Sequence, residues 1–94
     1  MTVKSMHPKR AAVLAILAEN EGQWLGNREI WHLSCRRAAS HGSPVVHAPH
    51  IHIYYLNLDG LVQTDHRPHV RCGAGDRVAK VTRDGMQVAL RVMD

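Results

Sequence analysis

Two short stretches of the sequence decide the fold: residues 56–62, Leu-Asn-Leu-Asp-Gly-Leu-Val, and residues 81–85, Val-Thr-Arg-Asp-Gly. In the first, a leucine-rich helix end runs into glycine, which is typical of a helix that stops at a left-handed residue. In the second, threonine stands where it can cap a helix start. The pair predicts one helix that turns into a strand and one strand that turns into a helix.

Two helices are predicted before these stretches. The first follows Pro8, covers residues 9–20 and ends at Gly22. Its apolar face combines Ala11, Leu14, Ala15 and Ala18, widened by Val13 and Leu17. After a short extended connection at residues 23–26, Asn27 is the predicted N-cap of a second helix over residues 28–39. Its core-facing residues are Ile30, Leu33 and Trp31.

A third helix is predicted from Pro49 to Asp59, after a turn at residues 40–44. Proline disfavours a helical residue before it, so the helix starts at Pro49. Ile53 and Leu56 face inward, and Gly60 closes the helix. Residues 61–66 and 77–82 suit paired strands, with a loop at residues 67–76 between them, and residues 83–93 suit a last helix.

The two deciding stretches resemble the winged helix-turn-helix transcription regulators of the MarR and PadR groups. In those proteins the recognition helix ends in a Leu-x-x-x-Gly-Leu-Val turn, and the second wing strand runs into a Thr-x-x-Gly helix start. The resemblance covers residues 8–93 and departs at residues 40–48, which are longer than the usual turn. It implies an α+β winged helix-turn-helix: a three-helix core, a two- to three-stranded antiparallel wing and a C-terminal helix.

Length and composition bound the class of protein. A chain of 94 residues supports one modest core, so we expect a single domain over residues 1–94 with a flexible N-terminus at residues 1–7. The apolar runs are too short to span a bilayer, and the first residues do not form a secretion signal. We therefore expect a cytoplasmic protein that does not enter a membrane, with both cysteines as reduced thiols.

Charge is distributed unevenly along the chain. The net charge is +4 and the isoelectric point about 9.6, a balance that favours polyanionic partners. No acidic residue occurs between residues 30 and 58, a span that holds Arg36, Arg37 and five of the eight histidines. Carboxylates there would be repelled by phosphates, so the span indicates a nucleic-acid surface. The alternative is chance depletion in a chain with eight acidic residues.

The outer face of the third helix supplies the candidate base contacts. His50, Tyr54 and Asn57 follow at i, i+4 and i+7, and His47 stands at the approach. Asparagine can bond adenine in bidentate fashion, while histidine and tyrosine can donate to phosphates or base acceptors. Two alternatives stay open: one of Tyr54 and Tyr55 packs beside the hairpin, and Asn57 serves only to end the helix.

Basic residues elsewhere supply the candidate phosphate contacts. They are Arg28 at the start of the second helix and Arg67, Arg71 and Arg77 around the wing loop. The resemblance implies that such a wing touches the phosphate backbone or enters the minor groove; the alternative is a solvated loop. Lys9 and Arg10 oppose the dipole at the start of the first helix, which a contact outside the fold would explain.

The sequence therefore predicts a small, repressor-like transcriptional regulator that binds specific sequences of double-stranded DNA. The recognition helix covers residues 49–59 and the basic wing residues 66–77. A homodimer through the last helix is expected, because Val88 and Val92 lie on one face while Leu90 and Met93 lie on another. No orienting acid, oxyanion site or phosphate-binding glycine loop accompanies the cysteines and histidines, so we expect neither enzymatic activity nor a cofactor.

Two rival functions remain at this level. The same winged helix face could dock a protein, or the histidines could make a metal- or pH-responsive regulator. His66, His69 and Cys72 offer zinc-type ligands in the wing, but a structural site usually needs four, so polar contacts are favoured. Histidine protonation below about pH 6.5 would strengthen the positive field, so we expect DNA binding to depend on pH.

Overall fold

The computed structural model describes residues 6–68 and 75–93. The elements, in chain order, are α1 (Pro8–Glu19), β1 (Leu25–Gly26), α2 (Asn27–His41), α3 (Pro49–Leu58), β2 (Val62–Pro68), β3 (Gly75–Val81) and α4 (Arg83–Met93). The predicted α+β class, the start of α3 at Pro49 and the bounds of α4 are confirmed.

The strands form one antiparallel sheet in the order β1–β3–β2. β2 and β3 pair along their full lengths. β1 adds two residue pairs at the other edge of β3, with Leu25 opposite Ala79 and Gly26 opposite Val78. The predicted loop at residues 67–76 is wrong at both ends, because β2 continues to Pro68 and β3 begins at Gly75. Cross-strand pairing extends the ladder to Pro68 and Gly75. The sequence predicts a turn there because it shows the turn preference of proline and glycine but not the pairing with the neighbouring strand.

α1 lies at the centre of the domain and contacts α2, α3, α4 and β3. Every residue from Ala12 to Ala18 is buried, including Ile16, which the predicted apolar face omitted, whereas Ala11 is only half-buried. A helix with neighbours on several sides needs apolar residues all round, which a one-sided pattern does not anticipate. Its C-terminus differs by one residue, since the helix ends at Glu19 and not at residue 20; the predicted terminator Gly22 follows with a left-handed φ of 83°.

The start of α2 corrects the predicted N-cap. Gly26 occupies that position, and its amide donates to Glu29 Oε1 at 3.2 Å. Asn27 is the first helical residue, and its side chain acts on another element, as described below. The prediction failed because asparagine and glycine both suit an N-cap, and the Glu29 carboxylate favours the position three residues before it.

The connection from α2 to α3 is held by a buried serine. α2 continues to His41, past the start of the predicted turn, and ends at the left-handed Gly42. Ser34 is fully buried, and its Oγ donates to the Trp31 carbonyl oxygen at 2.7 Å and accepts from the Val46 amide at 3.0 Å. These bonds keep Val46, which is 1% exposed, in the core between the two helices.

The two diagnostic stretches of the sequence lie against each other. Thr82 caps α4, as predicted: its Oγ1 accepts from the Gly85 amide at 3.0 Å and donates to the Gly60 carbonyl oxygen at 2.8 Å. Gly60 has the left-handed φ of 73° that closes α3. A Cβ at Gly85 would overlap the carbonyl oxygen of Leu61, so only glycine allows this approach. The motif residues therefore mark one backbone-to-backbone junction.

The ends of the described region carry three further observations. Met6 packs against the core, and His7 Nδ1 accepts a hydrogen bond from the Lys9 amide at 3.1 Å, while residues 1–5 of the predicted flexible N-terminus lie outside the described residues. On α4, Ala89 is buried and Leu90 is 61% exposed. Among residues 6–68 and 75–93, no helix has the length and apolar character needed to cross a membrane.

Candidate nucleic-acid interface

α3 exposes an apolar and aromatic face. Within the described residues, four of the five large hydrophobic side chains that are exposed belong to this helix. They are Ile51, Tyr54, Tyr55 and Leu58, with exposed fractions of 49, 54, 44 and 64%. The inner face holds Ile53 and Leu56, which are 2% and 0% exposed, as the sequence predicted. The helix is thus anchored on one side and open on the other.

Asn27 of α2 positions the start of α3. Its Oδ1 accepts a hydrogen bond from the His50 amide at 2.9 Å. The residue that precedes α3, Ala48, has no side chain that can cap the helix, so an asparagine from the neighbouring helix takes this role. His50 itself is exposed, as predicted for a contact residue. This bond therefore links the start of α2 to the start of α3.

The end of α3 is tied to β2. The exposed Asn57 donates from Nδ2 to the Val62 carbonyl oxygen at 3.0 Å. The Leu61 amide donates to the Leu56 carbonyl oxygen at 2.9 Å across the turn. This places Asn57 in the terminating role that sequence pattern left open, while its exposure keeps it on the accessible side of the helix.

An open depression of about 340 Å³ lies between the exposed face of α3 and Arg77 of β3. Its lining residues are His50, Ile51, Tyr54, Tyr55 and Arg77. The first four come from the exposed face of α3, and the exposed Arg77 comes from β3. α3 and β3 therefore both contribute to one open surface, whose lining includes two tyrosine rings and one arginine.

Both tyrosines are exposed, so neither is packed away beside the hairpin as one alternative proposed. Tyr54 and Tyr55 meet edge to face, with ring centroids 5.3 Å apart. The Arg10 guanidinium lies 4.5 Å from the centroid of the Tyr55 ring, a cation–π arrangement. This contact gives Arg10 a place beside α3 and explains a basic residue at the start of α1, where the helix dipole disfavours it.

His52 lies on the flank of α3 that faces the start of α1. Its ring stacks on His7, with centroids 5.6 Å apart. Burial lowers the pKa of His52 below the usual 6.5, and the nearby charges of Arg10, His7, Lys9 and His50 lower it further. His52 therefore stays neutral at a pH where an ordinary histidine begins to carry charge.

The acid-free span of the sequence is not acid-free in space. Glu19 of α1 accepts a hydrogen bond from Arg37 and forms an ion pair with it. Arg36 and Arg37 line a second depression, of about 270 Å³, between α1 and α2. This depression shares no lining residue with the one beside α3. The two arginines of the span thus belong to a different surface from the exposed face of α3.

The remaining predicted contact residues divide into three groups. Arg28 and His47 are exposed, and the His47 ring lies 6.3 Å from that of Trp31. Arg67 lies in β2 with its backbone opposite Asp76, so it is a strand residue and not a loop residue. Arg71 lies outside the described residues. Their contacts with DNA stay predictions.

Sequence pattern missed two members of the exposed surface, Ile51 and Leu58. Ile51, Tyr54, Tyr55 and Leu58 are spaced i, i+3, i+4 and i+7, which is the usual signature of a core-facing stripe. The signal was therefore present, but α3 carries two apolar stripes. The prediction covered only the inner one, with Ile53 and Leu56, and left Ile51 and Leu58 unassigned. The position of Arg10 at the start of α1 indicated a contact, but its partner Tyr55 lies far away in the sequence and left no local signal.

His47, His50 and His52, which are close in the sequence, do not come together at one site. His47 lies beside Trp31, His50 is exposed, and His52 stacks on His7. Across the described parts of the chain, no group of three or more histidine, cysteine or acidic side chains could hold a metal ion. The proposed wing ligands His69 and Cys72 lie outside those parts.

No family model matches the chain. A search of curated proteins likewise finds no match. Among solved structures, a proposed transcriptional regulator from Thermoplasma acidophilum superposes with a TM-score of 0.62 at 16% identity, over 85% of this chain and 74% of its own. A Streptococcus transcriptional regulator superposes with a TM-score of 0.61 at 13% identity, over 96% and 89% of the two chains.

The chain has the winged helix-turn-helix fold. α2 and α3 form the helix-turn-helix, β2 and β3 form the wing, and α4 follows the wing. The fold predicted from the two motif stretches is confirmed. At these identities the likeness concerns architecture, so the function has to be argued from the surface itself.

Proposed function

We propose that the protein regulates transcription by binding specific sequences of double-stranded DNA. α3 enters the major groove, and the wing strands follow the phosphate backbone. The observation that carries the proposal is the shared depression in which Arg77 of the wing faces the exposed side of α3. A helix in the groove with a cation beside it supplies both base and phosphate contacts. Both structural neighbours are regulators, which agrees with this role.

Phosphate contacts are proposed for the basic residues around α3. Arg77 borders the depression, Arg28 is exposed at the start of α2, and Arg67 and Arg71 belong to the wing. Base contacts are proposed for His50, Tyr54 and Asn57, with His47 at the approach. Asn57 uses one amide hydrogen to hold Val62, so its Oδ1 and second hydrogen remain for a base.

Salt dependence tests the proposal. Affinity for a mixed-sequence duplex, measured by fluorescence anisotropy, should fall steeply with salt, since each neutralised phosphate contributes about 0.9 to the slope. Arg77→Ala should weaken binding to all sequences and reduce the slope by about one. The matched control is Arg36→Ala, an exposed arginine in the separate depression, which should leave the slope unchanged. Absence of binding at low salt would overturn the proposal.

Sequence preference provides a second test. His50→Ala and Tyr54→Ala should change which duplexes are recovered from a random library, while Arg77→Ala should not. Both substituted side chains are exposed, so the fold should tolerate them. Unfolding of Tyr54→Ala would contradict the orientation of α3.

A homodimer through α4 is part of the proposal. Leu90 is 61% exposed on this helix, next to the buried Ala89 that faces the core. A two-fold dimer would place two recognition helices about one helical turn apart on DNA, about 34 Å, and predicts a palindromic site. Sedimentation of the protein and of Leu90→Glu would decide this, since a charge at a dimer contact should yield monomers.

A second candidate function is docking of a protein through the same face. The apolar character of Ile51 and Leu58 favours it, because exposed apolar patches commonly mark interaction sites. Binding of that kind should respond weakly to salt and should not depend on DNA. The anisotropy experiment therefore separates the two candidates.

A further inference from the structure

The chemistry of the exposed face of α3 restricts what it can read. Its centre is the stripe of Ile51, Tyr54, Tyr55 and Leu58, all exposed by more than 40%. We call these four residues the α3 stripe. α3 contains no lysine, arginine, glutamine, serine or threonine. The bidentate contact of arginine or lysine with guanine, the commonest specific contact in the major groove, is therefore not available from this helix.

Apart from the hydroxyls of Tyr54 and Tyr55, the polar groups of the α3 side chains lie beside the α3 stripe and not within it. Asn57 is tied to β2 through its bond to the Val62 carbonyl oxygen. His52 is stacked on His7, on the flank toward α1. His50 is left as an exposed polar side chain, at the border with α2. Most of the surface that α3 offers is therefore methyl, methylene and aromatic carbon.

The charge around the α3 stripe indicates which occupant suits it. Arg77 lines the same depression as Tyr54 and Tyr55, and the Arg10 guanidinium lies over the Tyr55 ring. α3 itself carries no acidic residue. An apolar strip between cations fits a polyanion that presents apolar groups. In the major groove of DNA, the group of this kind is the C5 methyl of thymine.

We infer that the α3 stripe recognises thymine methyl groups, so that the preferred half-site is rich in A·T pairs. Ile51 and Leu58 lie seven residues apart, about two helical turns, and can contact methyls at two places along the groove. The edge of the Tyr54–Tyr55 pair lies between them. The inference rests on the proposed function, since it names the chemical target of the same site.

Replacement of thymine by uracil tests it, because the two bases differ only in the C5 methyl. Duplexes recovered from a random library by the wild-type protein are remade with deoxyuridine at each thymidine position in turn. Affinity should fall about fourfold for each methyl that α3 contacts, the change expected from leaving one such group unburied. Positions outside the α3 footprint should show no change.

Paired variants assign the effect to the α3 stripe. In Leu58→Ala and Ile51→Ala, the ratio of thymine to uracil affinity should approach one at the affected position, while overall binding weakens. Leu90→Ala is the matched control: Leu90 is 61% exposed against 64% for Leu58, but it lies on α4. Even if Leu90→Ala weakens binding through the dimer, it should retain the thymine-to-uracil ratio. Circular dichroism checks that each variant is folded.

The outcomes separate the inference from the proposed function. If the library yields duplexes and uracil binds as well as thymine at every position, the inference is wrong and DNA binding stands. If the library yields no duplex, the proposed function is wrong and the inference falls with it. If Leu58→Ala abolishes self-association or capture of a protein partner while DNA affinity is unchanged, the face is a protein contact and the inference is overturned.

Discussion

The two junctions at the start and the end of α3 are built in different ways. The junction of α3, β2 and α4 brings backbone against backbone: the Thr82 amide donates to the Leu61 carbonyl oxygen at 3.0 Å, and Gly85 lies against the same carbonyl. The junction of α2 and α3 is bridged by side chains, Ser34 to the Val46 amide and Asn27 to the His50 amide. The first left a motif in the sequence, and the second did not.

The difference follows from what each contact demands. Close approach of two backbones excludes every residue with a Cβ, so one residue type is compulsory and the position can be recognised. A side-chain hydrogen bond to a backbone amide can come from many residue types and from any neighbouring element. The first three predictions below test this contrast in order of decreasing effect, and the fourth concerns His52.

Gly85→Ala should be the most destabilising change. The new Cβ would overlap the Leu61 carbonyl oxygen and lie 2.8 Å from Val81 Cγ2, so the backbone must move. We expect a loss of about 3 kcal/mol or more in the free energy of unfolding, at the upper end for overpacked sites. Urea denaturation measures it.

The control adds the same methyl group where there is room. Gly42 has a φ of 67° with nothing within 4 Å of a Cβ. Gly42→Ala should therefore lose only about 1–2 kcal/mol, from left-handed strain. Equal losses in the two variants would show that space at Gly85 is not what the motif encodes.

Ser34→Ala should come next. It leaves the buried amide of Val46 without its partner, which costs about 1–3 kcal/mol. Hydrogen exchange of the Val46 amide should become faster. Ser40→Ala is the control on the same helix, since that hydroxyl is exposed and bonds only locally, to the Arg36 carbonyl oxygen and to its neighbour His41. If Ser34→Ala loses no more stability than Ser40→Ala, the Ser34 hydroxyl does not stabilise the connection between α2 and α3.

Asn27→Ala should have a smaller effect on stability, about 0.5–1 kcal/mol, because the bond to His50 is exposed. Asn27→Asp keeps the acceptor and adds a negative charge at the start of α3, so stability should be retained. DNA affinity should nevertheless fall in the aspartate variant, through repulsion by phosphates. Unchanged stability in the alanine variant would remove Asn27 from the junction.

His52 predicts a modest dependence of stability on pH. Burial, then Arg10, His7, Lys9 and His50, lower its pKa in the folded protein, so the unfolded chain binds the proton more readily. Stability is therefore complete above about pH 6.5 and falls as the pH drops through the folded value.

Melting temperatures between about pH 7.5 and pH 5 should show this loss, and His52→Gln should reduce it. His32→Gln, an exposed histidine on α2, is the control and should leave the slope as in the wild type. An identical slope in His52→Gln would contradict the assignment. Because the lowered pKa makes His52 protonate only at lower pH, we expect the predicted strengthening of DNA binding on acidification to come from other histidines.

The candidate site was predicted in part. The place of α3 and the exposure of His50 and Tyr54 follow from the spacing of Ile53 and Leu56, because a helix that buries one stripe exposes the opposite one. Ile51 and Leu58 were missed because apolar residues are assigned inward by default. The withdrawal of Arg37 into a pair with Glu19 was missed because the two lie on different helices.

The sequence by itself determined the winged helix-turn-helix, through glycines and a threonine that only one backbone arrangement can use. The tertiary structure decided which surface is available to a partner. Because α1 packs against several elements, its whole middle is buried. Arg10 at its start lies over the Tyr55 ring, and the α3 stripe remains exposed. Local patterns report the constraints on a residue's own backbone, whereas the exposure of a side chain depends on neighbours that the chain brings from far away.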